Sequence, residues 1–374
     1  MNIEIITETE GSPIRLGGTL AGICYMPHDF KTLQNEELHK TYSRANSTMK
    51  SGHHSVFEHY YISMYLENIP KLFAMLLNNE KAFTTSEKSA RYTKMELDGI
   101  EKELYEKWIK ILELIIKKKY GNCGYFDDKR IHKLAMENAR YFTSVMTPTS
   151  MAYTVSFRQL NYLCGWLKDF DNSNNPIYKM LAPTAKEFVE KIGAGNYLLD
   201  DLMDDGKQRE FSLIGKRVRQ EQFGECYSVN YKGSFAMLAQ AQRHRTLHYE
   251  MMPLEEKEYF VPLILSEHPQ LVEEWLEDMK KVAMLTPQGE LLAINERGDF
   301  ENLILKAKER LCTAAQFEVM KNTKDTIEKI IENTDNKFVE NELKKIKSGA
   351  RCVSGFDCKT PCGFKQGIDL SRDI

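Results

Sequence analysis

Polar and apolar positions alternate at the start of the chain. Asn2-Ile3-Glu4-Ile5-Ile6 has the two-residue period of a strand with one wet face. Over 101–120, EKELYEKWIKILELIIKKKY, the period becomes helical: Leu104, Trp108, Ile111, Leu112 and Ile115 share one face, with Lys and Glu opposite. Similar spacing predicts helices around 153–168 and 178–192, and a long helix from about 299 to 333 that aligns Leu303, Ala307, Arg310, Leu311 and Ala314. Strands are predicted near 58–68, 226–231 and 260–265. Asn172-Ser173-Asn174-Asn175-Pro176 reads as a loop, and Asp200, Asp201, Asp204, Asp205 and Gly206 mark the best domain boundary. The predicted class is α+β, rich in helix.

Phe73-Ala74-Met75-Leu76 recurs as Phe235-Ala236-Met237-Leu238, and Tyr65 and Asn68 stand as far upstream as Tyr227 and Asn230 do. Both copies run from a strand-like into a helix-like segment, which predicts a duplicated supersecondary unit. A length of 374 residues suits two domains. The expected division is 1–205, 206–335 and a cysteine-bearing tail over 336–374.

With 51 Lys+Arg against 54 Asp+Glu, no generic cationic coat for nucleic acid is expected, so any anion site is local. No apolar run approaches the roughly 18 residues that span a bilayer. The opening lacks a signal-peptide pattern, so a cytoplasmic location is expected. Of eight cysteines, five are isolated, as in reduced cytosolic proteins. Cys352, Cys358 and Cys362 lie close together, but they form no CxxC pair and have no evident fourth ligand. A plain thiol-bearing tail is expected there rather than a metal clip.

Four constellations carry candidate chemistry. Gly52-His53-His54-Ser55-Val56-Phe57-Glu58-His59 packs three imidazoles beside a carboxylate; the spacing is not that of a helical zinc site, and hydrogen bonding to a polar cofactor is the alternative. Thr84 to Tyr92 sets hydroxyls beside Arg91, a chemistry that suits phosphate or an ordinary helix cap. Gln240-Ala241-Gln242-Arg243-His244-Arg245 clusters cations that anions would neutralise, pyrophosphate or phosphate foremost. Asn295-Glu296-Arg297, Asn302, Arg310 and Gln316-Phe317-Glu318 form the last set. Arg310 falls on an apolar helix face and needs a counter-charge, either Glu318 or a ligand phosphate.

At these residues the sequence resembles the flavin-dependent thymidylate synthases, whose hallmark is Arg-His-Arg, seven residues, Ser, one residue and Arg-Tyr. This chain splits the hallmark. The first half keeps the His53–His59 block and Ser86-Glu87-Lys88-Ser89-Ala90-Arg91-Tyr92, with Arg140 and Arg158 matching two further family arginines. It has Asn79-Glu80-Lys81 where Arg-His-Arg should stand, and Leu167 where a late Arg is expected. The second half keeps Gln240, Arg243-His244-Arg245, Asn295-Glu296-Arg297, Asn302, Arg310 and Gln316-Phe317-Glu318. There Pro253 and Glu255 replace the phosphate-binding Ser and Arg, and no upstream His block exists.

The resemblance implies two tandem thymidylate-synthase-complementing-protein-like domains, each a small antiparallel sheet with helices. It implies FAD contacts from His53, Ser55, Glu58, Arg243, His244, Arg245, Asn295, Arg297 and Asn302. It implies nucleotide contacts from Glu87, Ser89, Ala90, Arg91, Gln240, Arg243 and Arg310, with Arg310 near the uracil as the catalytic group. The implied reaction is reductive methylation of dUMP to dTMP, with methylenetetrahydrofolate and NADPH as co-substrates. The implied assembly is a homodimer forming a pseudo-tetramer around composite sites, with a small-molecule nucleotide as partner and neither nucleic acid nor membrane. Three alternatives remain: a related methyl- or hydroxymethyltransferase on another pyrimidine nucleotide, a non-catalytic flavin- or nucleotide-binding protein, and, ranked low, a metalloenzyme using the histidine block.

Overall fold

The alternating start of the chain is an edge strand, β1 (Asn2–Glu8), in the computed structural model of the protein. The structure describes residues 1–80, 83–88, 97–121, 126–203, 213–214, 221, 224, 226–242, 247–312, 315–347 and 349. After β1 come helices α1 (Pro13–Tyr25), α2 (Phe30–Gln34) and α3 (Leu38–Lys50), a 3-10 helix (His54–His59), then β2 (Tyr61–Pro70), α4 (Lys71–Leu77) and β3 (Phe83–Glu87). Next are α5 (Gly99–Tyr120), α6 (Asp128–Ala139), β4 (Pro148–Ser156), α7 (Phe157–Lys168), α8 (Pro176–Ala194) and α9 (Asp200–Met203). The second half supplies β5 (Cys226–Ser234), α10 (Phe235–Ala241), β6 (His248–Pro253), α11 (Pro269–Lys281), β7 (Leu291–Asp299), α12 (Phe300–Arg310), α13 (Phe317–Asn333) and α14 (Lys337–Ile346).

These elements form two compact units that do not follow the chain linearly. The first comprises Met1–Lys88 and Pro148–Phe211; the second comprises Ser89–Thr147 and Ser212–Ile374. Thus α5 and α6, which precede the expected boundary at 205/206, belong with the second half of the sequence.

In the first unit the antiparallel sheet has the order β1-β2-β4-β3. Ile62, Met64 and Leu66 pair directly with Val155, Tyr153 and Met151, and all six are buried on one face. The β2–β4 register breaks between Leu66 and Ile69, where Asn68 takes φ 55, a left-handed conformation that Asn tolerates. Phe73 of α4 meets Phe188 of α8 edge to face at 5.4 Å.

The second unit has a smaller antiparallel sheet, β5-β7-β6. Its order matches β2-β4-β3 without the edge strand. In both units the first and central strands run straight into a helix. Side chains at three of these junctions cap the helix: Ser156 accepts from Gln159 N, Ser234 from Met237 N, and Asp299 from Asn302 N.

The helix predicted at 101–120 is α5, and it buries Leu104, Trp108 and Leu112 while Ile111 and Ile115 are partly buried. Trp108 stacks on Phe142 at 5.9 Å and meets Trp275 edge to face at 4.7 Å. Its indole N–H donates to Asp278 at 3.1 Å. Backbone bonds from Val145 N to Thr286 O and from Gly289 N to Tyr141 O tie the same first-half segment down. A Cβ on Gly289 would lie 2.8 Å from the Tyr141 Cβ, so this close approach requires glycine.

Several predicted elements change. The helix expected at 153–168 is β4 followed by α7, because the β-branched and aromatic alternation of 151–155 pairs with β2. The helix expected at 299–333 is two helices, α12 and α13, with a break after Arg310. The strand expected at 260–265 is a 3-10 turn at Leu263–Leu265 after Pro262, and only Tyr259 makes a bridge, to Glu290. Helix 178–192 and strand 226–231 hold as α8 and β5. The strand near 58–68 begins later, at Tyr61. Among the described residues no helix is long and apolar enough to cross a membrane.

Replacing Trp108 by Ala is expected to cost about 3–5 kcal/mol of unfolding free energy, read by urea denaturation, since it empties the centre of this aromatic cluster.

Candidate functional site

The sheet of the second unit has two chemically distinct faces, because successive side chains on a strand point opposite ways. Ser228 and Asn230 of β5, Asn295 and Arg297 of β7, and His248 and Glu250 of β6 share the polar face. The expected residues Asn295 and Arg297 are therefore brought together here. Asn295 is buried, and its Nδ2 donates to Ser228 Oγ and Asn230 Oδ1, each at 2.9 Å. Its Oδ1 is buried with no hydrogen-bond partner. Ser228, His248 and Glu250 were not legible as site residues; the period-two pattern of 248–253 was the signal available.

The opposite face holds Tyr227, Val229, Tyr231, Tyr249, Met251, Ile294 and Glu296. Glu296 is fully buried and accepts from Tyr227 Oη at 2.8 Å, Tyr231 Oη at 2.7 Å and Lys306 Nζ at 2.6 Å. Lys306 is 0% exposed, and burial holds its ammonium pKa below the usual lysine range against the pull of Glu296. Burial and then the Glu296 charge push the Tyr227 and Tyr231 hydroxyls well up.

Lys306 stands one helical turn after Asn302 and one before Arg310 on α12, so the ion pair fixes the helix that carries both. The Arg310 cation opposes protonation of Lys306 and eases ionisation of Tyr249. Asn302 serves the helix start, since its N–H and amide nitrogen donate to Asp299 at 2.8 and 2.7 Å.

A second network surrounds Gln316, which is buried at the start of α13. Its backbone N–H donates to Gln240 Oε1 at 3.0 Å, and its Oε1 accepts from Arg140 Nη2 at 2.6 Å. Its Nε2 donates to the Tyr141 hydroxyl, which donates to Glu318 Oε2 at 2.8 Å. Glu318 also accepts from Ser234 N at 2.8 Å and Ser234 Oγ at 2.6 Å. The counter-charge considered for Arg310 thus sits instead with Ser234 and Tyr141. Burial raises the Glu318 carboxyl pKa above its ordinary 4.5, against the effect of these donors.

In the first unit the histidine block is a 3-10 helix that buries His54, Val56 and Phe57 and exposes His53, Ser55 and Glu58. The three expected cofactor residues thus share the outer side. His54 spends both ring nitrogens internally, on Tyr162 Oη at 3.0 Å and Met49 O at 2.8 Å. Arg158 donates to Tyr162 Oη at 3.0 Å and pairs with Glu58. The Glu87 side chain is fully buried against Lys71 and accepts from Asn78 Nδ2 at 3.1 Å. The carboxylate of this expected nucleotide-contact residue is thus held by Lys71 and Asn78.

Ser89, Ala90, Arg91, Arg243, His244, Arg245, Cys352, Cys358 and Cys362 lie outside the described residues. Among the described residues, Cys24, Cys164, Cys226 and Cys312 form no disulfide. Among the described residues no group of three His, Cys, Asp or Glu could hold a metal ion.

Lys306→Met is expected to cost about 3–5 kcal/mol by leaving Glu296 buried without its cation, and Lys306→Met with Glu296→Gln should recover much of that loss in urea unfolding. Glu318 contributes stability that is fully present below its ordinary 4.5 and is lost as pH rises through its raised folded value. Glu318→Gln should flatten that fall when unfolding is followed from about pH 4 to pH 7.

Residues 5–170 match the family model described as thymidylate synthase complementing protein. No curated protein matches the sequence. Two solved structures are similar over 55% of this chain. One is a UMP/dUMP methylase from Streptomyces cacaoi bound with 5-Br dUMP, at 14% identity, 93% of its own chain and a TM-score of 0.35. The other is the flavin-dependent thymidylate synthase of Helicobacter pylori complexed with FAD and dUMP, at 19% identity, 100% of its own chain and a TM-score of 0.35. The family match over residues 5–170, somewhat less than half of the chain, agrees with the motif resemblance.

Proposed function

We propose that this protein is a flavin-dependent thymidylate synthase that reductively methylates dUMP to dTMP, using methylenetetrahydrofolate and NADPH, at a site composed from both halves of its sequence. The observation that carries this reading is the union of 89–147 with 212–374 in one compact unit. Arg140, from the first half, is there hydrogen-bonded to Gln316 of the second, which also holds Gln240. Each half has lost motif residues that the other keeps, and this unit draws on both, while His53, Ser55, Glu58 and Glu87 belong to the other unit. The shared strand order of the two sheets supports a tandem duplication.

The polar face of β5-β7-β6 fits FAD by its donor set. Asn295 offers a buried, unpartnered carbonyl oxygen to an N–H group, and Arg297 offers a cation to a pyrophosphate. When bound, FAD supplies the hydride chemistry. In this reading Arg243, His244, Arg245 and Asn302 complete the second half's cofactor contacts, and the exposed His53, Ser55 and Glu58 are those of the first. Ser89, Ala90 and Arg91 hold the nucleotide phosphate with Arg243. Arg310, held one turn from the Lys306–Glu296 pair, steadies negative charge as the uracil ring is activated. Two chains associate as a homodimer resembling a tetramer of single domains.

A second reading within the same class takes another pyrimidine nucleotide. It is favoured by about four more residues between Arg297 and Arg310 than the family pattern has.

Purified protein supplied with FAD, dUMP, methylenetetrahydrofolate and NADPH is expected to form dTMP, with Arg91→Ala and Arg243→Ala each weakening dUMP binding by about 1.5–3 kcal/mol. A protein that takes up no FAD would overturn the enzyme reading. Turnover of another pyrimidine nucleotide in preference to dUMP would select the second reading.

A further inference from the structure

We infer that Gln316 is a positioning residue for nucleotide binding: it sets Arg140 with its side chain and Gln240 with its backbone, so that one residue aligns donors from both halves of the sequence. The inference rests on the function proposed above and deepens it.

The hydrogen-bond directions leave little freedom. A guanidinium only donates, so the atom of Gln316 that meets Arg140 Nη2 is its carbonyl Oε1. The amide nitrogen must then face Tyr141, whose hydroxyl accepts from it and passes its own proton to Glu318. Glu318 is anchored by the N–H and hydroxyl of Ser234, the residue that caps α10. The Gln316 amide therefore cannot flip without setting donor against donor at Arg140. Gln240, near the far end of the same helix, spends its carbonyl on the Gln316 backbone. Its amide nitrogen carries two N–H donors.

What remains at both residues is donor chemistry. Arg140 is 8% exposed, and its Nε is buried with no hydrogen-bond partner. A buried donor of this kind is costly unless an acceptor reaches it. A phosphate oxygen or a pyrimidine carbonyl is the matching group, and each is part of a pyrimidine nucleotide. Holding the guanidinium plane through a third residue costs no rotamer search at binding, which is how a positioning residue acts.

The test is calorimetric titration of dUMP into the FAD-loaded full chain. Gln316→Leu removes both side-chain bonds and keeps the backbone bond to Gln240. It is expected to weaken dUMP binding about tenfold while FAD uptake stays within about twofold of the unsubstituted protein. Gln316→Glu has nearly the same shape and decides the matter should the leucine variant not fold. Its carboxylate still accepts from Arg140 but cannot donate to Tyr141, and it holds the guanidinium in an ion pair. Position 316 meets Arg140 and Tyr141; the charged groups acting on Tyr141 are Glu318, Arg140 and Glu137, and Arg140 also acts on Tyr105. Protonation restores the amide-like pattern, and because the Arg140 cation favours the ionised carboxylate, dUMP affinity of Gln316→Glu should recover only as pH falls from about pH 8 to about pH 4, beyond any change in the unsubstituted protein under the same conditions. A purely structural role predicts no such recovery. A leucine variant that binds dUMP like the unsubstituted protein, or a glutamate variant with an unchanged pH profile, overturns the inference. If the unsubstituted protein takes up FAD but not dUMP, the proposed function falls and this inference with it. If it binds dUMP and loses it with Arg140→Ala but not with either Gln316 variant, only the inference falls.

Discussion

A carboxylate taken out of water must be given donors, and Glu318 is given three: the N–H and hydroxyl of Ser234 and the hydroxyl of Tyr141. Donors and acceptor together come from three places in the chain. Ser234 ends β5 and caps α10, Tyr141 follows α6, and Glu318 opens α13. Meeting the needs of one buried acceptor therefore fixes a strand-to-helix junction, a segment from the first half of the sequence and a helix of the second. Gln316 extends the same chain of bonds to Arg140 and Gln240.

The Glu296–Lys306 pair is a second buried solution on the other side of the same sheet region. A buried ion pair contributes little net stability compared with apolar packing, but it penalises any arrangement that separates its members. Here it locks α12 against β7, and with it the relative placement of Arg297 and Arg310. The two devices are different in kind. One is a neutral amide relay ending on a carboxylate, and the other is a charge pair bracketed by tyrosine hydroxyls.

In the first unit the corresponding polar groups are spent internally. Lys71 and Asn78 occupy the Glu87 carboxylate, and Tyr162 and Met49 occupy the ring of His54. In the histidine block His53, Ser55, Glu58 and His59 are exposed, and Glu58 pairs with Arg158.

The sequence by itself determined the elements whose periodicity is long and clean. Helix α5, strand β1 and the strand-to-helix copies at Phe73 and Phe235 are readable because their apolar spacing has one geometric solution. It also offered the candidate ligand groups, but that Asn295 and Arg297 share one face followed only once β7 was in place. Short strands such as β6 and β7 were not legible, because buried apolar runs read alike as helix or strand until a partner strand supplies hydrogen bonds. Only the tertiary structure decided that 89–147 joins the second half, that Glu87 is spent on Lys71, and that Gln316 links Arg140 to Gln240. Each of these depends on which distant donor satisfies a buried polar group, and sequence spacing carries no information about that.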